Sequence, residues 1–238
     1  PEQKRLLSEL KKSGKPIIMV LYNGRPMTLN WESEQMDAIL DVWFGGTEGG
    51  NAVADVLFGD RAPGGKLTTS FPYHVGQIPV YHSMLNTGRP NPGVSAQKFR
   101  SNYLDIPNEP LYPFGYGLSY TKFEYGPMSL SDTTFSKDSE IKVSISIKNT
   151  GSRMASEVVQ LYIRDLVGSI SRPIKELKGF KKIILQAGEE KEVQFVITED
   201  LVQYYNIDLK KVSEPGYFTI MIGGNSVDVE TKLIRLTD

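Results

Sequence analysis

Residues 141–148 read IKVSISIK, and this stretch decides the fold of the second half of the chain. Isoleucine or valine at positions 141, 143, 145 and 147 alternates with lysine or serine. Because successive side chains of a β-strand point to opposite faces, the alternation predicts a strand with one face in a core and the other in water. Asn149-Thr150-Gly151 then supplies a turn.

Further apolar segments downstream have the length of strands and are separated by turn residues. They lie at residues 159–163, 193–197, 217–222 and 229–236. Short strands with turn signals between them predict an all-β sandwich of the immunoglobulin or fibronectin type III-like kind over residues 123–238.

The first half of the chain has a different pattern. Residues 17–22 (IIMVLY) and 39–44 (ILDVWF) are short, nearly unbroken apolar runs, which are typical of parallel strands covered by helices on both faces. Helical patterns precede the first run and follow the second, with Gly14 and Gly59 where helix ends belong. Residues 1–122 are therefore predicted to form a partial parallel α/β sheet.

Two strands are too few for such a sheet, because its edges and faces would stay uncovered. The chain also begins at Pro1 and enters a helical pattern directly. We therefore expect it to be the C-terminal part of a longer polypeptide whose upstream part supplies the remaining strands.

Composition excludes several classes of function. The formal net charge is −1, with 27 basic and 28 acidic residues, so the chain lacks the basic character of a nucleic-acid-binding protein. It has no cysteine, which excludes disulfides, iron–sulfur clusters and thiolate zinc sites and is compatible with cytoplasm or periplasm. No apolar run approaches the ~18 to 20 residues of a membrane helix, so membrane insertion is not expected.

Motifs for phosphate, metal and serine chemistry are weak. The Gly-rich turn at 45–50 does not have the spacing of a dinucleotide-binding loop, and residues 59–67 (GDRAPGGKL) place Leu67 where a phosphate loop needs Ser or Thr. His74 and His82 are the only histidines, and without a neighbouring ligand cluster they are better explained as loop residues than as a metal site. No Gly-x-Ser-x-Gly segment occurs.

Carboxylates in or beside loops are candidates for glycoside hydrolysis, which uses a pair of them roughly 5 to 9 Å apart. They are Glu32, Glu34, Glu48, Asp55, Asp60, Asp105 and Glu109. The sequence alone does not pair them, and Glu48 is better explained by the start of the following helix, where an acidic side chain is favourable. Trp31 and Trp43 could stack on a sugar ring, although Trp43 lies within an apolar run and fits a core better.

Residues 63–113 are rich in Pro, Gly and Asn, and only short strand candidates such as residues 67–71 occur there. So long an irregular stretch is either functional or wraps a neighbouring domain. Its segment 86–107 combines charged donors and acceptors with a flat ring, as sugar recognition requires. The candidate substrate-binding residues are Arg89, Arg100, Tyr103 and Asp105. A solvated connector is an equally open interpretation of this loop.

Several segments together resemble glycoside hydrolase family 3. They are residues 14–21 (GKPIIMVL) with 23–26 (NGRP), 43–59 (WFGGTEGGNAVADVLFG), 63–72 (PGGKLTTSFP), 86–90 (NTGRP) and 111–121 (LYPFGYGLSYT). The last two look like the periplasmic β-glucosidase-like branch of the family. Each piece alone is modest, but their number and order make the resemblance strong over essentially the whole chain.

The resemblance implies an order of a (β/α)8 barrel, an α/β sandwich domain and a fibronectin type III-like domain. Residues 1–122 would be the C-terminal part of the α/β sandwich domain, and residues 123–238 would be the whole fibronectin type III-like domain. Family members retain anomeric configuration with an Asp nucleophile on the barrel and a Glu acid/base on the α/β domain. Both are expected upstream of Pro1, so no catalytic residue is assigned within this chain.

The resemblance further implies a retaining, exo-acting β-glucosidase that removes terminal β-linked glucose from oligosaccharides or glycosides and needs no metal or organic cofactor. A β-xylosidase of the same family and a non-catalytic carbohydrate-binding or adhesion module are the alternatives. The upstream barrel and the glycoside substrate are the expected partners, whereas nucleic acid and membrane are not. The oligomeric state is open between monomer and homodimer, and the expected location is periplasmic or secreted.

Overall fold

The computed structural model describes residues 2–91 and 97–238. The elements of its first half are helix α1 (Glu2–Lys11), strand β1 (Ile18–Leu21), helix α2 (Asn30–Gln35), strand β2 (Ala38–Asp41), helix α3 (Gly49–Leu57) and a 3-10 turn (Val75–Gln77). Strands β1 and β2 pair in parallel, with Ile18 beside Ala38 and Leu21 beside Asp41. The predicted parallel α/β arrangement is therefore confirmed.

Helix ends in this half follow the glycine signals. Gly14, just after α1, has φ 68°, and Gly59, just after α3, has φ 84°. This left-handed conformation is one that residues with a Cβ avoid and that commonly ends a helix. Helix α2 was not predicted, because its sequence NWESEQ shows no apolar stripe at helical spacing.

The two parallel strands are less buried than their sequences predict. Ile18 is 53% exposed, and the other three residues of β1 are half-buried. Helix α1 has no buried residue. A strand is buried on both faces only where helices cover both sides of its sheet, and here the sheet consists of these two strands alone.

Residues 67–71, predicted as a short strand, make only one isolated antiparallel bridge, between Phe71 and Tyr112. The strand prediction is wrong because Pro72 and Pro113 flank that bridge and have no backbone N–H with which to extend a ladder. The segment nevertheless folds back on residues 112–116, since Leu67 N donates to Tyr116 O at 2.8 Å.

The second half is almost entirely β-structure. Its elements are β3 (Phe123–Tyr125), β4 (Ser129–Leu130), β5 (Thr134–Phe135), β6 (Ile141–Asn149), β7 (Ala155–Asp165), β8 (Glu176–Leu185), β9 (Glu190–Ile197), α4 (Glu199–Val202), β10 (Tyr204–Tyr205), β11 (Lys211–Val212), β12 (Gly216–Gly223) and β13 (Val229–Leu236). Among the described residues, no helix has both the length and the apolar character needed to cross a membrane.

Two sheets face each other. One has the order β5-β13-β12-β7-β8, and the other places β6 between β9 on one side and the short strands β3 and β4 on the other. All neighbours are antiparallel except β5 and β13. The all-β sandwich predicted for this half is confirmed.

The hydrophobic core lies between these sheets. Ile141, Val143, Ile145 and Ile147 of β6 are all 1% exposed or less, as the alternation in IKVSISIK predicts. Every member of the main buried cluster comes from residues 128–236. The sandwich therefore contains its own core, which a domain needs in order to fold as a unit.

Polar side chains with little exposure to solvent connect the two halves of the chain. Lys66 Nζ lies 3.1 Å from Glu157 Oε1 on β7, and the same oxygen accepts a hydrogen bond from Tyr125 OH at 2.9 Å. Within the sandwich, Gln160 Nε2 donates to Gly224 O at 2.6 Å. Gly115 of the first half has φ 81°, and a Cβ at this position would collide with the Gln160 side chain.

Candidate functional site

The two described ends of the candidate loop, residues 86–91 and 97–107, lie side by side. Ser101 N donates to Arg89 O at 2.8 Å, and Pro90 forms a parallel bridge with Ser101. Arg89 is thereby placed next to Arg100, although 11 positions separate them in the sequence. Residues 92–96 of the predicted loop lie outside the described residues.

Asn108 holds the second end of the loop in shape. Its Nδ2 donates to Ser101 O at 3.1 Å, and its Oδ1 accepts from Tyr103 N at 3.1 Å. One amide side chain therefore satisfies backbone groups on both sides of Asn102, which is how Asn commonly stabilises an irregular turn.

Gln77 anchors this structure to the rest of the chain. It is 3% exposed, and its Nε2 donates to Pro107 O at 2.8 Å and to Glu109 O at 3.1 Å. Its Oε1 accepts from Tyr73 N at 2.5 Å. A buried, fully paired glutamine gives the loop a rigid base, because breaking such bonds leaves buried polar groups unsatisfied.

The candidate side chains themselves point outward from this base. Arg89, Arg100 and Asp105 are exposed, and Tyr103 is 39% exposed, with its OH donating to Gly76 O at 3.3 Å. Two guanidinium groups, a carboxylate and an anchored aromatic ring can bind vicinal hydroxyls and the flat face of a sugar. The structure brings Arg89 close to the 100–103 segment and places Asp105 further along the same turn.

Two of the other carboxylates named from the sequence, Glu48 and Asp55, have side-chain contacts within their own half of the chain. Glu48 is the residue before α3, and its Oε2 accepts from Asn51 Nδ2 at 2.6 Å. Asp55 lies 3.4 Å from the Arg61 guanidinium. Glu32 and Glu34 belong to helix α2. These contacts favour the structural interpretation that the sequence offered for Glu48.

Sequence analysis did not include Asp41 among the candidates. It is the last residue of β2, and both of its carboxylate oxygens are removed from solvent. Burial raises the pKa of the Asp41 carboxyl. The one signal in the sequence is an acidic residue inside an otherwise apolar run.

Asp41 borders a cavity of about 850 Å³ between the β1–β2 sheet and residues 63–67 and 116–120. Its walls are largely apolar and include Trp43, Phe71 and Tyr112. Sugar sites need many hydrogen-bonding groups, so the cavity does not suit a glycoside. Trp43 has φ 52°, lies after the end of β2 and is half-buried, so it is not the core strand residue that the sequence predicts. Its ring packs edge-on to Phe71, with the ring centroids 5.8 Å apart.

Both histidines have structural contacts within the chain. His74 Nδ1 accepts from Gly76 N at 3.0 Å and so caps the 3-10 turn. The His82 ring packs at a tilt against Phe114, with the ring centroids 4.2 Å apart. Burial, and after it the Lys175 charge, lowers the pKa of His82. Within residues 2–91 and 97–238, no group of three His, Asp or Glu side chains could hold a metal ion.

Comparison with known proteins identifies the chain by family. Residues 1–120 match the Glycosyl hydrolase family 3 C-terminal domain, and residues 157–226 match the Fibronectin type III-like domain. The chain belongs to glycoside hydrolase family 3. This confirms the resemblance stated from the sequence segments.

Individual relatives extend the match over the whole chain. A periplasmic β-glucosidase of Salmonella typhimurium is 51% identical over 228 residues, which are 96% of this chain and 30% of the relative. A β-xylosidase of Formosa agariphila is 46% identical over 99% of this chain and 32% of its own length. The crystal structure of a β-glucosidase from Listeria innocua with laminaribiose superposes with TM-score 0.94 at 45% identity, covering 100% of this chain and 33% of that one.

This family-3 chain therefore spans about a third of the length of the relatives it matches. The matched region is their C-terminal part. The chain therefore corresponds to the C-terminal part of longer relatives, as the resemblance implies.

Proposed function

We propose that this chain is the C-terminal part of a retaining, exo-acting β-glucosidase of family 3. The observation that carries the proposal is the 51% identity to a periplasmic β-glucosidase over nearly the whole chain. A periplasmic or secreted location is part of the same proposal. The barrel nucleophile and the acid/base both lie upstream, so the chain alone is expected to show no turnover of a nitrophenyl β-glucoside.

The role proposed for this chain is to present the 86–107 loop at the sugar entrance. Arg89, Arg100 and Asp105 would bind hydroxyls of the sugar on the leaving-group side, and Tyr103 would present its ring. The base formed by Gln77 and Asn108 supports this role, because a binding group contributes most when its position is set before the ligand arrives.

A β-xylosidase is the second candidate, favoured by the 46% identity to the enzyme of that name from Formosa agariphila. The two candidates differ by the hydroxymethyl group of glucose, which the upstream barrel would recognise. Comparing kcat/KM of the full-length protein for nitrophenyl β-glucoside and β-xyloside distinguishes them.

The loop is tested in the full-length protein with Arg89→Ala, Tyr103→Ala and Asp105→Ala. Each should lower kcat/KM for a β-linked glucose disaccharide by more than about tenfold, or about 1.4 kcal/mol. The melting temperature should stay close to that of the wild type, since these side chains are exposed.

Matched controls are Arg61→Ala and Asp60→Ala, which remove one charge each from the same half of the chain but outside the loop. Tyr103→Phe keeps the aromatic ring and removes the hydroxyl that donates to Gly76 O. This variant should retain most of the activity if the ring is the part that contacts sugar. Wild-type kinetics in all three loop variants would show that the loop is a solvated connector.

A further inference from the structure

A sandwich segment supports the candidate loop directly. Residues 166–175 connect β7 to β8, and Pro173 forms an antiparallel bridge with Leu85. Ile174 N also donates to Met84 O at 2.9 Å. Arg89 follows Leu85 by four residues, which is at most about 14 Å of extended chain. The sandwich segment therefore pairs with the chain only four residues before Arg89.

Arg172 holds the sandwich side of this contact. Its guanidinium lies 4.2 Å from the centre of the Tyr204 ring, and its Nη2 donates to Glu176 Oε2 at 2.9 Å. Its Nε lies 3.7 Å from Asp165 Oδ2, and the side chain is only 13% exposed. A planar guanidinium can stack on a ring and pair with carboxylates at the same time, whereas a lysine ammonium cannot.

Two neighbouring residues pin the same segment to the sandwich. Ser169 N donates to Glu214 Oε2 at 2.9 Å, and its hydroxyl lies 3.0 Å from Tyr204 OH. Lys175 Nζ donates to Ser226 O at 2.5 Å. The segment is thus held at positions 169, 172 and 175, and positions 173 and 174 between them pair with residues 84–85.

We propose that Arg172 is a positioning residue for the candidate sugar-binding loop. It fixes the segment that pairs with Leu85 and Met84 and thereby sets the position of Arg89. The fibronectin type III-like half then contributes to recognition of the leaving-group sugar through another residue, without touching the sugar itself. The kinetic part of this inference rests on the proposed function of Arg89.

The test uses Arg172→Lys in the full-length protein. Lysine keeps the charge but loses the stacked, forked geometry, so the amide of Ile174 should lose protection from hydrogen exchange. KM for a β-linked glucose disaccharide should rise about tenfold, while kcat for nitrophenyl β-glucoside stays within about twofold. In an Arg89→Ala background, Arg172→Lys should raise the disaccharide KM little further, because residues acting in one chain of contacts are not additive.

Glu176→Gln is a second variant, which keeps Arg172 and removes the charge of its partner. It should lower the protection of the Ile174 amide and raise the disaccharide KM, both by less than Arg172→Lys does. Lys211→Met removes a cation from an exposed pair elsewhere on the sandwich (3.8 Å from Asp200) and should change neither. If Arg89→Ala alone leaves KM at the wild-type value, the proposed function of Arg89 fails, while lost protection at Ile174 still supports positioning by Arg172. Unchanged exchange at Ile174, or a KM effect that adds in full to that of Arg89→Ala, overturns the proposal.

Discussion

Glu157 joins the two halves of the chain at a single carboxylate. Its side chain is 5% exposed and that of its partner Lys66 is 16% exposed. Lys66 Nζ also donates to Gly117 O at 3.0 Å. Burial, followed by the Glu157 charge and hydrogen bond, raises the pKa of Tyr125 above its ordinary range, so Tyr125 stays a hydrogen-bond donor even at a pH where an exposed tyrosine begins to ionise.

Lys66→Met is expected to destabilise the folded chain by about 3 kcal/mol, because it leaves a buried carboxylate without its cation. Urea unfolding followed by circular dichroism measures the change. Lys12→Met is the matched control, since Lys12 pairs with Glu9 at 2.7 Å in an exposed position and should cost less than about 1 kcal/mol. Equal losses in the two variants would contradict a special role for the buried pair.

Strands β1 (IMVL) and β6 (IKVSISIKN) show that apolar content alone does not decide burial, because the more apolar strand is the less buried one. The inward residues of β6 are almost completely buried, because β9 lies along one side, β3 and β4 along the other, and a second sheet above. Strand β1 pairs only with β2, and its four residues are exposed or half-buried. The burial of a strand therefore depends on the elements that pack around it and not only on its own sequence.

Limited proteolysis should therefore cut the isolated chain first within residues 2–60. The reason is that helix α1 has no buried residue and the parallel sheet has two strands, so local opening there exposes little buried surface and costs little free energy. Mass spectrometry of a digestion time course identifies the cuts. First cuts inside strands β6, β7 or β12 would contradict this expectation.

At the scale of the whole molecule, the two halves differ in how well their interiors are packed. The main buried cluster lies entirely within the sandwich, whereas the cavity of about 850 Å³ lies in the α/β half. The start of the second domain at residue 123 stays a prediction.

An excised sandwich of residues 123–238 is expected to unfold cooperatively as a monomer, because its core is self-contained. It should show no saturable binding to cellulose, xylan or cello-oligosaccharides at about 1 mM, since the candidate sugar-binding loop lies in the other half. Calorimetry and titration with these sugars test both statements. Saturable binding by this fragment would instead favour a carbohydrate-binding module.

Much of the architecture could be predicted from the sequence because it depends on local periodicity. The alternation in residues 141–148 specifies one buried face, and the glycines after α1 and α3 end those helices. Strand β8 was not predicted, since Gly179 and the charged residues of ELKGFKKIIL hide its alternation. The sequence also gives no sign that helix α4 ends at Val202 and that Tyr204, two residues later, is a buried residue of the short strand β10.

By itself, the sequence determined the order of an α/β half and a β-sandwich, the family, and the composition of the candidate loop. Only the tertiary structure decided which residues meet: Arg89 beside Ser101, Gln77 beneath the loop, and Pro173 beside Leu85. The physical reason is that period and turn chemistry act over a few neighbouring residues, whereas these contacts join positions far apart in the sequence. Their partners become defined only when the sheets and loops pack together.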